Sequence, residues 1–208
     1  MPTPVRKSLP TVSPYQQLVA EWKDCTACEL HATRQRVCFA RGKLPADVLF
    51  IGEAPGLSED AIGQPFVGPA GELLDHVIAK SLGDLTWCLT NLVMCAPYGE
   101  NNRKLAEPDM EHVDACKPRL EYFARIVEPK LIVTVGKCAM EYCNPMYRDH
   151  VKLPLVPIIT ITHPAAIIRS PIVGQSLAIQ RCITTLRSAV SDLREGGGVE
   201  GDMRANPF

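Results

Sequence analysis

The chain has 208 residues, 46% of them hydrophobic, and a formal net charge of −1. That is enough for one sizeable α/β core, and too little positive charge for a globally basic nucleic-acid binder. No apolar run approaches the roughly 20 residues of a membrane span, and the opening MPTPVRKSLP lacks the apolar centre of a secretory signal. A cytoplasmic protein without membrane contact is expected.

In chain order, residues 1–13 are rich in Pro, Ser and Thr and are expected to be flexible. Residues 14–31 read as a helix, with Leu18, Val19 and Trp22 on one face. A basic segment, 31–43, carries Arg34, Arg36, Arg41 and Lys43, suited either to a solvated loop or to phosphate contact. A buried strand is predicted over 47–53. It opens into a long Gly/Pro-rich loop with three carboxylates, Glu53, Glu59 and Asp60. Loops of this length are usually functional or disordered, and Pro55, Pro65 and Phe66 argue for order.

A helix over 70–83 follows, then a strand over 87–93 and a polar loop over 96–108. Further elements are a helix over 109–127, a strand at 131–135, a helix at 137–142, a strand at 156–161 and a helix at 174–193. Alternating strands and helices predict a parallel sheet with helices on both faces. Residues 14–193 then form a single domain, and the tail 194–208 is expected to be disordered. Glu53, Asn91, Cys95, Gly136 and His163 all fall just at or beyond strand ends. Ligands of open α/β sheets bind beyond the carboxyl ends of the strands, so these loops predict a site.

Nine cysteines in a chain of this class suggest metal ligands and buried thiols rather than disulfides. Cys25 and Cys28 form a Cys-x-x-Cys, compatible with a redox pair, half a zinc site or part of an iron–sulfur cluster. No strand precedes the pair, which disfavours the redox reading. Cys95 and Cys116 could complete four thiolates; spacing alone does not separate zinc from iron–sulfur. Cys38, close to the pair, is the other candidate. Cys88, Cys138, Cys143 and Cys182 read as small buried hydrophobes.

Five motifs in order resemble one family. GEAPG at 52–56 with Glu59-Asp60, then GQPFVGPAGELLD at 63–75, resembles the first motif of the family 4 uracil-DNA glycosylases. TNLVMC at 90–95, HPAAIIRSP at 163–171, CTACEL at 25–30 and EPKLIVTVGKCA at 128–139 resemble its remaining motifs. The resemblance implies a three-layer α/β/α sandwich around a four-stranded parallel sheet. It also implies a structural [4Fe–4S] cluster, with zinc as the alternative, held by Cys25, Cys28, Cys95 and Cys116.

The implied activity is excision of uracil from single- or double-stranded DNA by a monomer. Gly52, Ala54, Phe66, Asn91 and His163 would bind the flipped base, with Phe66 stacking and Asn91 reading the N3–H and O4 edge. His163 would stabilise charge on the leaving uracil. Ala54 stands where better-known branches carry Asp or Asn, so Glu53 and Glu59, ahead of Asp60, are the candidates for handling water. Ile167, Ile168 and Arg169 resemble the loop that wedges into the minor groove. The stretch after Cys95 reads Ala96-Pro97-Tyr98 where the family has Arg-Pro-Pro, and it retains Asn102-Arg103. The basic loop of covalently trapping relatives has no counterpart, so turnover is expected. A non-catalytic iron–sulfur DNA-binding module of replication machinery, as in related phage proteins, is the alternative. A zinc-bearing nucleotide-binding protein is a third reading.

Overall fold

A computed structural model describes residues 12–99, 105–144 and 150–196. The expectations for residues 1–11, for Asn102-Arg103 and for 197–208 lie outside the described residues.

Helix α1 (Pro14–Trp22) opens on a capping box in which Ser13 and Gln16 satisfy each other's backbone N–H. It is shorter than the helix expected over 14–31. Apolar spacing lapses after Trp22, and a 3-10 turn (Glu29–Ala32) resumes it with buried Leu30. The Cys25–Cys28 pair is thereby left in the connection. A two-residue strand, β1 (Arg41–Gly42), precedes β2 (Val48–Gly52). The long acidic loop contains α2 (Leu57–Ile62), which the sequence reading did not anticipate. Then come α3 (Pro69–Ser81), β3 (Trp87–Asn91), α4 (Met110–Val127), β4 (Leu131–Val135) and α5 (Lys137–Cys143). The chain continues through β5 (Ile158–Ile161), α6 (Pro164–Arg169) and α7 (Ile172–Arg194).

The sheet runs β1-β3-β2-β4-β5. Its four longer strands are parallel as expected, and β1 adds a short antiparallel edge against β3. Side chains alternate across β2. Leu49 and Ile51 face α1, α4 and α5 through Leu18, Leu120 and Phe123. Val48 and Phe50 face α3 and α7 through Leu74, Ile78 and Leu186. These two apolar clusters make three layers.

From β2 the chain steps to β3 on one side and later returns to β4 on the other. A crevice therefore opens beyond the carboxyl ends of β2 and β4. Register fixes what stands there. Gly52 pairs with Asn91, and Val135 pairs with Ile161 just before Gly136 and His163.

Candidate functional site

Gly52 ends β2 where two side chains close over the backbone. A Cβ at this position would strike both Asn91 Oδ1 and Phe66 Cζ. Only a glycine lets the amide and the ring approach this strand end. Phe66 has a φ of 56°, a left-handed conformation that is strained for an aromatic residue. Several contacts hold it there. Arg41 Nη2 donates to the Phe66 carbonyl at 3.0 Å and Nε donates to the Pro65 carbonyl at 3.2 Å. Asp75 anchors the same guanidinium at 2.8 and 3.0 Å. Gly71 lets α3 pass directly beneath, since a Cβ there would overlap the Phe66 carbonyl.

Phe66 lies 6.1 Å from the His163 ring, centroid to centroid, with the planes inclined by 30°. His163 caps α6, and its Nδ1 accepts the Ala165 N–H at 3.1 Å. An accepting Nδ1 places the proton of a neutral imidazole on Nε2. Burial, reinforced by Arg169, holds the ring's pKa down at about 4, so neutral imidazole prevails near pH 7. Gly136, at φ 93°, leaves room for His163 beside the β4 end, since a Cβ there would come within 2.9 Å of His163 Cβ.

Asn91 is only 2% exposed. Its backbone carbonyl is held by Arg119 Nη2 at 2.8 Å, yet its side-chain amide has no hydrogen-bond partner among the described residues. The amide atoms keep a little accessible surface at the strand end, and an open amide beside an aromatic face is suited to a polar planar ligand.

The carboxylates divide by environment. Glu59 Oε1 accepts from Val67 and Gly68 N–H, both at 2.9 Å, and Oε2 accepts from Gly56 N–H at 3.1 Å. It ties the start of α2 to the loop bearing Phe66. Asp60 is fully buried and accepts from Gln35 N–H, Arg36 N–H and the Tyr98 hydroxyl. Glu53, half-buried just past the β2 end, makes no such bonds among the described residues. Burial, with Glu107 nearby, pushes its carboxyl pKa up, and Arg169 opposes the shift. Ala54 packs partly against the α4 side of the core.

The loop after His163 departs from expectation. It forms α6, and Ile167 is buried at 2% exposure in the core with α3 and α7. Ile167 is therefore held in the core in this structure, not presented at the surface as the resemblance implied. Ile168 is 43% exposed and Arg169 is exposed beside it. The exposed apolar run continues through Ile172 and Val173, which sequence periodicity left unmarked.

Cys25, Cys28, Cys95 and Cys116 share one neighbourhood of the fold, although among the described residues no three of their sulfurs lie within 4.8 Å of one another. Cys28 lies within electrostatic reach of Cys25 and Cys116, and Cys95 within reach of Cys116 and Cys28. Arg34 links the set: Nη1 donates to Cys95 Sγ at 3.4 Å and Nη2 to the Cys25 carbonyl at 2.6 Å. His112 Nε2 stands 2.5 Å from Glu29 Oε1, strapping the residue after Cys28 to the helix that carries Cys116. Cys38 is within electrostatic reach of Cys95, but its thiol donates to the Glu59 carbonyl at 3.2 Å, on the side of the acidic loop. The basic segment is spent within the fold: Arg34, Arg36 and Arg41 each donate to a backbone carbonyl. These partners lie 9 to 25 residues away, beyond the reach of local pattern, so neither reading of that segment anticipated them.

A parallel sheet with an aromatic face, an open amide and a neutral histidine beyond its strand ends defines a protein that holds a flat polar ring. The Uracil DNA glycosylase superfamily model matches residues 39–187. A type-4 uracil-DNA glycosylase of Pyrobaculum aerophilum is 34% identical over 72% of this chain and 82% of its own length. One from Archaeoglobus fulgidus is 32% identical over 74% of this chain and 83% of its own length. A third, from Sulfurisphaera tokodaii, is 38% identical over 61% of this chain and 56% of its own length. The chain belongs to the uracil-DNA glycosylase superfamily, with type-4 enzymes among its relatives.

Proposed function

We propose that this chain is a DNA-repair glycosylase that hydrolyses the bond between uracil and deoxyribose in DNA, leaving an abasic site. The observation that carries the reading is the open side-chain amide of the largely buried Asn91 beside the strained Phe66 ring, with His163 across from it. The base leaves the helical stack and lies against Phe66. The Asn91 amide accepts from uracil N3–H and donates to O4; cytosine presents the opposite pattern.

As the glycosidic bond breaks, its electron pair goes to the base and negative charge gathers on uracil O2. His163 Nε2–H, fixed by the Ala165 contact, donates to that oxygen. One donor placed where charge develops lowers a barrier by about 3–4 kcal/mol in other enzymes. Water adds to the cation-like sugar carbon, and Glu53 takes up the water's proton. Glu59 is a positioning residue for the loop that carries Phe66. Ile168 and Arg169 meet the DNA, in single- or double-stranded substrate. The enzyme acts as a cytoplasmic monomer.

Cys25, Cys28, Cys95 and Cys116 would hold a [4Fe–4S] cluster. Their surroundings fit one. Burial raises Cys95 to about 11, so the free thiol stays protonated, and only a bound metal would make it the anion that the neighbouring Arg34 favours. The buried Arg119 Nε beside the set has no partner of its own. When bound, the cluster supplies a structural crosslink between the N-terminal loop, the β3 end and α4, rather than a chemical step.

The test is an excision assay on a labelled uracil-containing oligonucleotide, with alkali cleavage, using anaerobically purified protein whose visible spectrum is recorded. Cleavage at uracil by a brown protein is expected. A brown protein that cleaves neither uracil nor other deaminated bases would overturn the enzymatic reading in favour of a DNA-binding module. A colourless, active, zinc-loaded protein would overturn the cluster assignment.

A further inference from the structure

Arg119 is the largest side chain that is essentially removed from solvent, at 1% exposure. It sits in α4 three positions after Cys116, on the same face of the helix. Its guanidinium donates from Nη1 to Thr90 Oγ1 at 3.0 Å. Nη2 donates to the carbonyls of Asn91 at 2.8 Å and Leu92 at 3.1 Å. Among the described residues no carboxylate pairs with it, and Nε is buried without a partner. A buried cation without an anion is strongly unfavourable, so one must be supplied. The neighbouring groups that favour its charge are Cys116 and Cys95, followed by Tyr15. Neutral thiols do not balance a guanidinium; metal-bound thiolates do.

We infer that Arg119 is a positioning residue that couples the metal-thiolate centre to the uracil-reading Asn91. One end of the guanidinium closes the carbonyls at the β3 terminus, where the Asn91 side chain leaves the sheet. The other faces Cys116, one turn away on α4, with Cys95 in electrostatic reach; both would be thiolates once a metal is bound. Arg119 holds the backbone from which the discriminating amide projects, and a metal bound by Cys116 and Cys95 would supply the negative charge that keeps Arg119 there. The inference rests on the function proposed above. It adds a physical path by which a cluster remote from the chemistry acts on base selection.

Arg119→Lys and Arg119→Gln test it, each purified with its cluster and compared with the wild type. Lysine keeps the charge but, as a compact ammonium, lacks the planar fork that spans the three acceptors. Arg119→Lys should retain iron and visible absorbance, lose at least ~10-fold in single-turnover excision, and discriminate less between uracil and cytosine. Arg119→Gln should in addition lower the cluster's reduction potential, because a cation near the cluster favours the reduced, more negative form, or should fail to load iron. Wild-type rate and selectivity in iron-loaded Arg119→Lys would overturn the positioning role. An iron-loaded Arg119→Gln with wild-type potential would overturn the link to the thiolates. If Arg119→Gln does not fold, Arg119→Lys still decides. An iron-loaded wild type inactive on uracil would instead defeat the functional reading, and the potentials would still test the link.

Discussion

Glu59→Gln separates two jobs that a carboxylate at this site could do. In the wild type one oxygen accepts from Val67 and Gly68 N–H and the other from Gly56 N–H. A glutamine can keep its carbonyl oxygen on Val67 and Gly68. Its NH2 group then faces the Gly56 N–H, donor against donor. A hydrogen bond to a charged group contributes about 1.5–3 kcal/mol, and the two retained bonds weaken when the charge is removed. A loss of ~2–4 kcal/mol follows. For a domain of this size each kcal/mol moves Tm by about 2–4 °C, so a fall of roughly 5–15 °C is expected. Excision should fall only modestly, by ~10-fold or less at a temperature where the variant is folded. Glu53→Gln should do the reverse. With no backbone N–H bond to lose, its Tm should stay near wild type, while single-turnover excision drops by about 10²-fold or more. Thermal melts followed by circular dichroism and single-turnover assays on the same preparations give both readouts. A Glu59→Gln protein that melts with the wild type but has lost excision would refute this division of roles.

Three further outcomes are expected. Asn91→Asp replaces the open amide with a group that presents different donors and acceptors, so the preference for uracil over cytosine should relax; unchanged selectivity in paired oligonucleotide assays would remove Asn91 from base reading. His163 titrates at about 4 in the folded protein, against 6.5 for an ordinary histidine. As pH falls the unfolded chain takes up this proton first, so the stability carried by the neutral ring is whole above pH ~6.5 and is lost as pH approaches about 4. His163→Asn should flatten that part of the stability profile, and an unchanged slope in urea melts between those limits would contradict the burial argument. Finally, Ile167→Ala should cost about 2–5 kcal/mol of stability as a core truncation. Ile168→Ala should leave stability intact and slow excision from double-stranded DNA; the opposite pattern would return the wedge to Ile167.

How much was legible in the sequence can be judged from particular residues. The strand at 131–135 coincides with β4, and the helix expected over 109–127 differs from α4 by one residue at its start. Both follow from local apolar period and capping, which need no distant partner. The polar residues at strand ends were readable for the same reason: once strands alternate with helices, the crossover rule sends those ends to one edge. Helix α2 was missed because only Asp60 among its residues is buried, so the apolar stripe that marks a helix is absent. Ile167 and Ile168 look alike in sequence, and only packing against α3 and α7 buries one and exposes the other.

Although β1, α2 and α6 escape it, local pattern along the chain gives the main strands and helices, their order, and the gathering of Gly52, Asn91, Gly136 and His163 at one end of the sheet. These are consequences of short-range period, turn residues and chain handedness. Only the tertiary structure decided the work of each charged group. It turned Glu59 toward three backbone N–H groups, left Glu53 without one, and spent Arg41 on the Phe66 loop. It also buried Arg119 between the thiols and the Asn91 carbonyl. A charge is defined by its partners: those of Arg41 and Arg119 lie 25 and 28 residues away, and those of Glu59, 3 to 9 residues off, are brought to it by the path of the loop rather than by any apolar period.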